Sequence, residues 1–224
     1  MIQLTQDQRT RDWYKARLGM FTASQVHKLM GKTDLSRNTF GDTAYSYLAL
    51  LAGERKLKET MWDSLSDEEV DDFVRTQYQS NRAMAWGTFY EESARNLFAF
   101  ENDKIITELG SCVDDERPYL SASPDGKIDE ENALVEIKCP QLETYCKYCD
   151  KIVDATTLKE TKPEYYWQIF TQMHVMKADL CYFVWYHPYI GEEFAIIQMN
   201  EDINLLLNRI DKAEEIVQSL YNKL

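Results

Sequence analysis

Apolar residues recur every three or four positions over residues 82–100, where Met84, Phe89, Ala94, Leu97 and Phe98 predict one face of a helix that also carries Glu91. The same period runs through Ile203, Leu206, Ile210, Ala213, Val217 and Leu220 and predicts a last helix. Shorter helices are predicted over residues 22–30, where Thr22-Ala23-Ser24 offers a cap before Val26, Leu29 and Met30, and over residues 42–53. The acidic stretch 63–72 opens another, with its carboxylates at the favourable end of the dipole, and residues 165–176 give one more.

Between residues 104 and 138 the pattern changes. Ile105-Ile106, Tyr119-Leu120-Ser121-Ala122 and the run from Ala133 to Lys138 alternate with Asp, Glu and Gly, which predicts an antiparallel meander. Residues 180–186 and 194–199 add two strands. Helices first, then strands, then strands and helices mixed, is the order of an α+β (mixed α/β) layer structure.

The 224 residues suit a single domain spanning 1–224, with no repeat or low-complexity linker to divide it. A net charge of −13 excludes a uniformly basic surface for coating nucleic acid or membrane. Residues 1–37 nevertheless carry +4, and the rest therefore −17, so an anion site near the N-terminus is permitted. Arg9, Arg11, Asp12, Lys15 and Arg17 interrupt any secretory signal, and no apolar run approaches a membrane span, so a cytoplasmic protein is expected. The five cysteines, Cys112, Cys139, Cys146, Cys149 and Cys181, form no regular framework and read as reduced thiols. Cys146-x-x-Cys149 fixes only two ligands of a metal site.

The chemistry concentrates in Ser123-Pro124-Asp125-Gly126 and, after nine intervening residues, Glu136-Ile137-Lys138. If residues 129–132 make a turn, Asp125 folds back beside Glu136, and strand alternation puts Glu136 and Lys138 on one face with Ile137 in the core. Two carboxylates with a backbone carbonyl suit Mg²⁺, which binds through one or two carboxylates and substrate phosphate. Lys138 then orients the attacking water or stabilises charge developing on phosphate. By composition alone, a solvated turn and strand edge explain the same residues.

Five ordered blocks carry a resemblance. They are Trp13-Tyr14-Lys15-Ala16-Arg17-Leu18-Gly19 with Thr22-Ala23-Ser24, Ala85-Trp86-Gly87 with Tyr90-Glu91, Ser123 to Gly126, Glu136 to Pro140, and Tyr165 with Gln168. Together they resemble the lambda exonuclease family, or YqaJ-like viral recombinases, within the PD-(D/E)XK nuclease superfamily, and so imply a restriction-endonuclease-like core with a central mixed sheet flanked by helices.

The resemblance implies that Asp125, Glu136 and the Ile137 carbonyl hold two Mg²⁺ ions, with Mn²⁺ a possible substitute, and that Glu91 completes the acidic cluster directly or through water. Lys138 would help activate the water, and Gln168 would hydrogen-bond the nucleophile or a catalytic neighbour. Arg17 and Ser24 would bind a terminal 5′-phosphate, with Trp13 close by. The activity implied is 5′-to-3′ digestion of linear double-stranded DNA to mononucleotides, leaving a 3′ single-stranded overhang. A ring-shaped homotrimer lined by Arg9, Arg11, Lys15, Arg17 and Lys28, a single-strand annealing partner and a phage or prophage setting are implied as well. A further basic phosphate ligand falls on Lys32 or Arg37, and Asp115 matches an extra family aspartate or is a solvated turn. The alternatives are an endonuclease with the same core and a DNA-end-binding recombination protein without turnover.

Overall fold

A computed structural model describes residues 2–3, 10–31, 39–77 and 82–224. Arg9, Lys32 and Arg37 lie outside the described residues. A strand β1 (Ile2–Gln3) precedes helix α1 (Arg11–Arg17), strand β2 (Phe21–Thr22) and a 3₁₀ helix at Val26–Met30. Helices α2 (Asp42–Thr60), α3 (Asp67–Gln77) and α4 (Arg82–Glu101) follow. Then come β3 (Cys112–Val113), β4 (Leu120–Ala122), β5 (Gly126–Ile128), β6 (Ala133–Lys138), α5 (Leu142–Tyr148), α6 (Ala155–Thr161), α7 (Pro163–Met176), β7 (Leu180–His187), β8 (Gly191–Gln198) and α8 (Asp202–Tyr221).

The strands form two four-stranded sheets, ordered β1-β3-β4-β2 and β5-β6-β7-β8. The expected single meander is therefore not formed: β4 pairs with β3 and, in parallel, with β2, whereas β5 and β6 make a hairpin in the other sheet. Pro124, between β4 and β5, has no N–H to donate to a ladder, which suits the switch. Ile105-Ile106 forms no strand, and its extended character survives as an isolated bridge from Thr107 to Lys127. β6 and β7 are parallel, so the chain must cross over between them, and α5, α6 and α7 make that crossover.

Strand alternation assigns the two faces of the second sheet. Leu134, Phe183 and Trp185 pack with Tyr166, Phe170 and Met173 of α7 in a large core that reaches Leu48 of α2 and Leu206, Ile210 and Val217 of α8. Ala133, Val135, Ile137, Tyr182 and Val184 pack with Ala94 and Phe98 of α4 in a second core on the opposite face. Met84 and Phe89 are exposed, contrary to the expected helical stripe, because the face of α4 turned to the sheet carries Trp86, Tyr90, Ala94 and Phe98 instead. The helix expected over 22–30 is two residues of strand, a turn and the short 3₁₀ segment, since β2 pairs with β4 first. Buried Arg209 of α8 clamps that segment by donating to the carbonyls of Leu29 at 2.7 Å and Thr39 at 2.9 Å.

Gly19 closes α1 with φ +72°, and its N–H donates to buried Glu54 at 2.9 Å. A Cβ there would collide with Arg55, whose Nε donates to the Gly19 carbonyl. Gly19→Ala is expected to cost roughly 1–3 kcal/mol from the left-handed conformation alone, seen as a melting temperature lowered by several degrees.

Candidate active site

The hairpin places Asp125 beside Glu136, as its register requires: Gly126 faces Val135, with residues 129–131 and left-handed Asn132 making the turn. β5 covers β6 only as far as Val135. The N–H and C=O of one strand residue point the same way, so Ile137 presents both to the space that β5 leaves open. Asp125 fills part of it, its Oδ2 accepting from the Ile137 N–H at 2.7 Å. The Ile137 carbonyl opens to the same side.

Glu136 points to the α7 face and is 1% exposed, which removes the solvated-edge alternative. Its Oε1 accepts from Lys138 Nζ at 2.5 Å and Gln168 Nε2 at 2.5 Å, and its Oε2 from Gln172 Nε2 at 2.6 Å. A buried carboxylate requires such compensation. Lys138 Nζ also lies 4.8 Å from the Tyr165 ring centroid. Burial works to lower its pKa, but the charges of Glu136 and Asp125 outweigh that and hold the ammonium above its ordinary range. Gln168, expected to be buried, is partly exposed and faces the cleft instead.

The Asp125 carboxyl is raised as well, which favours its neutral form: burial, then Glu136 and Glu91, lift it well above the usual range despite Lys138. Glu91 reaches the cleft from α4, where it pairs with Arg95 at 3.1 Å. A cavity of about 590 Å³ joins Glu91, Ile137, Lys138, Gln168, Tyr165 and Ser24. Among the described residues, no three His, Cys, Asp or Glu side chains close on one point as a ready metal cage. The oxygen donors nevertheless fit a hard divalent cation, because mutual repulsion of the carboxylates around Asp125 is what such an ion relieves.

Ser24 and His27 arrive at the same cleft by way of the first sheet. β2 and β4 are parallel, with Phe21 opposite Leu120 and Thr22 opposite Ser121, so Ser24 and Ser123 leave the sheet at the same end. Thr10 caps α1 by accepting from the Trp13 N–H. At the other end of α1, Arg17 lies over Trp13, 4.4 Å from the ring centroid, and donates to Ser123 Oγ at 3.0 Å. The sequence places Ser24 at the start of a helix, and the structure does not: the 3₁₀ segment begins at Val26. Ser24 sits in a turn, and its carbonyl accepts from His27 Nδ1 at 3.0 Å.

Other expected residues lie apart. Asp115 pairs with Lys177 at 2.7 Å beyond the end of α7, which holds its carboxyl down to about 2. Arg11 pairs with Asp67 and Lys15 with Asp63, so part of the N-terminal charge is met locally. Cys139 lines the cleft, but burial together with Glu91 and Asp125 pushes its thiol up to about 12, and the five cysteines are free. Sequence reasoning names Ser123 only as part of its block, with no role of its own, and does not single out Gln172 or His27. A second glutamine four residues after Gln168, between Phe170 and Met173, was the available signal for Gln172.

No helix among the described residues is long and apolar enough to cross a membrane. Comparison with curated proteins finds no match. Among solved structures, the chain is similar to an alkaline exonuclease (LHK-Exo) from Laribacter hongkongensis, at 26% identity and TM-score 0.69, covering 96% of this chain and 97% of that one. The same exonuclease in complex with dAMP matches at 27% identity, with the same coverage and TM-score. A phage-related exonuclease from Haemophilus somnus 129PT shares the fold at 16% identity and TM-score 0.68, over 91% of this chain and 96% of that one. A family model of the YqaJ-like viral recombinase domain matches residues 12–179, a range that takes in every residue placed at this site from Trp13 to Gln172, and the chain belongs to that family.

Proposed function

We propose that the chain is a metal-dependent exonuclease that digests one strand of linear double-stranded DNA from its 5′ end, releasing mononucleotides and leaving a 3′ single-stranded tail. The observation that carries this reading is that two groups with different tasks adjoin: Ser24 and Lys138 line one cleft, and Arg17 bonds to Ser123, two residues before Asp125. Asp125, Glu136 and Lys138 are a hydrolytic set, and Arg17 with Ser24 offers a terminal-phosphate site joined to it through Ser123. The Laribacter hongkongensis relative is an exonuclease solved with dAMP, a nucleoside monophosphate of the class that end-on digestion yields.

Asp125, Glu136 and the Ile137 carbonyl would hold Mg²⁺, with Mn²⁺ as substitute, and Glu91 would join directly or through water. When bound, such ions polarise the scissile phosphate and supply hydroxide from a bound water at neutral pH. Lys138, held protonated by its carboxylate neighbours, acts as a fixed cation that orients the attacking water and meets charge on the phosphate. Gln168 holds Glu136 and lies 3.5 Å from Lys138 Nζ, so it fixes the angle between them. Arg17, braced on Trp13, forks onto two oxygens of the 5′-phosphate. As a single nuclease domain in the cytoplasm of a bacterial host, the chain would assemble as a homotrimer ring around DNA and hand its 3′ tail to a single-strand annealing protein. These last features rest on the family.

A time course on end-labelled linear duplex carrying 5′-phosphate or 5′-hydroxyl, with and without Mg²⁺ and beside closed circular plasmid, tests the reading. Metal-dependent loss from phosphorylated 5′ ends with intact plasmid is expected; nicked plasmid or 3′-end loss would replace it with the endonuclease or reversed reading. Arg17→Ala should raise KM for 5′-phosphorylated ends about 10–100-fold, as charged hydrogen bonds are worth about 1.5–3 kcal/mol, with little change on 5′-hydroxyl ends.

A further inference from the structure

Gln172 is a fully buried polar side chain on α7, one turn beyond Gln168. Its Nε2 donates to Glu136 Oε2 at 2.6 Å and lies 3.5 Å from the Ser123 carbonyl. A carboxylate only accepts, so the amide orientation is fixed: Nε2 must face Glu136 and Oε1 must face inward. That Oε1 is buried without a hydrogen-bond partner. Retaining an orphaned carbonyl costs stability, and a methionine or leucine would fill the same space without that cost. The arrangement makes sense where the N–H is worth more to Glu136 than the carbonyl loses.

We propose that Gln172 is a positioning residue: it locks the Glu136 carboxylate in the orientation that receives the divalent cation. The proposal rests on the metal-dependent reading above. Gln168 and Lys138 both engage Oε1, so Gln172 is the group that fixes the other oxygen. Without it, Oε2 loses its donor and the carboxylate is held through Oε1 alone. Groups that hydrogen-bond a metal-holding residue contribute about 10–100-fold to metal affinity.

Gln172→Met keeps the volume and removes the N–H. Binding of Mn²⁺ to the DNA-free protein is measured by calorimetry, beside the Mg²⁺ concentration giving half-maximal digestion and the melting temperature in chelator. The expected result is Mn²⁺ affinity and Mg²⁺ midpoint both weakened about 10–100-fold, with KM for 5′-phosphorylated ends at saturating Mg²⁺ changed less than threefold and a chelator melt that stays cooperative but falls by a few degrees, since buried Glu136 loses one donor. Wild-type Mn²⁺ affinity in Gln172→Met would overturn this role alone. A wild-type protein that binds no Mn²⁺ would overturn the metal-dependent reading and this role with it. Gln172→Ala repeats the measurement if the methionine variant does not melt cooperatively, and failure of both to fold would assign Gln172 to the core instead.

Discussion

Replacing Lys138 by methionine is expected to slow digestion of linear duplex by about 10²–10³-fold, the loss seen when a preorganised group facing developing charge is removed, while 5′-phosphorylated ends still bind. Methionine keeps most of the stem against Tyr165 and deletes only the ammonium, whose Nζ sits 2.5 Å from Glu136. Because Glu136 and Asp125 keep the ammonium protonated, its contribution is charge and orientation rather than proton removal. Lowering the pH should therefore not rescue the variant. Glu136 loses its cation in a site 1% exposed, and breaking a buried pair costs about 3–5 kcal/mol when the remaining charge finds nothing else. Gln168 and Gln172 still donate to it, so the stability loss should fall below that range. Single-turnover hydrolysis and end binding followed by anisotropy in Ca²⁺ separate the two effects. Digestion within a few-fold of wild type would remove Lys138 from the chemistry.

The hairpin that carries this site was legible because two local signals agreed: residues 129–132 made a turn, and the alternation from Ala133 to Lys138 set which side chains share a face. Long-range placement was less legible. Tyr119 to Ala122 reads as a strand wherever it pairs, and nothing in the run says that it joins β2 in a different sheet from β5 and β6. That pairing is what delivers Ser24 and Ser123 to one edge, so the meeting of the N-terminal block with the carboxylates needed the fold. Helices α5 and α6 are seven residues each, too short for a periodic pattern to stand out. Met84 and Phe89 show the opposite failure, since in a helix this rich in apolar residues periodicity does not say which stripe the sheet covers, and it covers Trp86, Tyr90, Ala94 and Phe98. Gln172 was hidden in plain composition, because a buried glutamine has no pattern until the carboxylate it holds is known.

Asp125→Asn is expected to move activity and stability in opposite directions. Digestion should fall by about 10²–10⁴-fold, the scale of a positioned catalytic group, whereas the melting temperature in chelator at pH 8 should rise. Burial, then Glu136 and Glu91, raise the Asp125 carboxyl well above its usual range. The unfolded chain releases that proton near pH 4, and the folded chain holds it to higher pH. Below pH 4 both states are protonated and the group is neutral to stability. As pH climbs from there to the raised folded value, the folded chain binds more protons than the unfolded one and stability is lost. Asparagine stays uncharged throughout, and its carbonyl still accepts from the Ile137 N–H. A gain of about 1 kcal/mol, ordinary for relieving a strained functional site, appears as about 2–4 °C at this size and should vanish as pH approaches 4. Saturating Mg²⁺ should reverse the order, because a ligand at 100 times its Kd stabilises the protein that binds it by about 2.7 kcal/mol, and the variant has lost an oxygen ligand. Asparagine that lowers the chelator melt at pH 8, or a wild type that Mg²⁺ does not stabilise, would show that Asp125 does not stand in a cluster awaiting a cation.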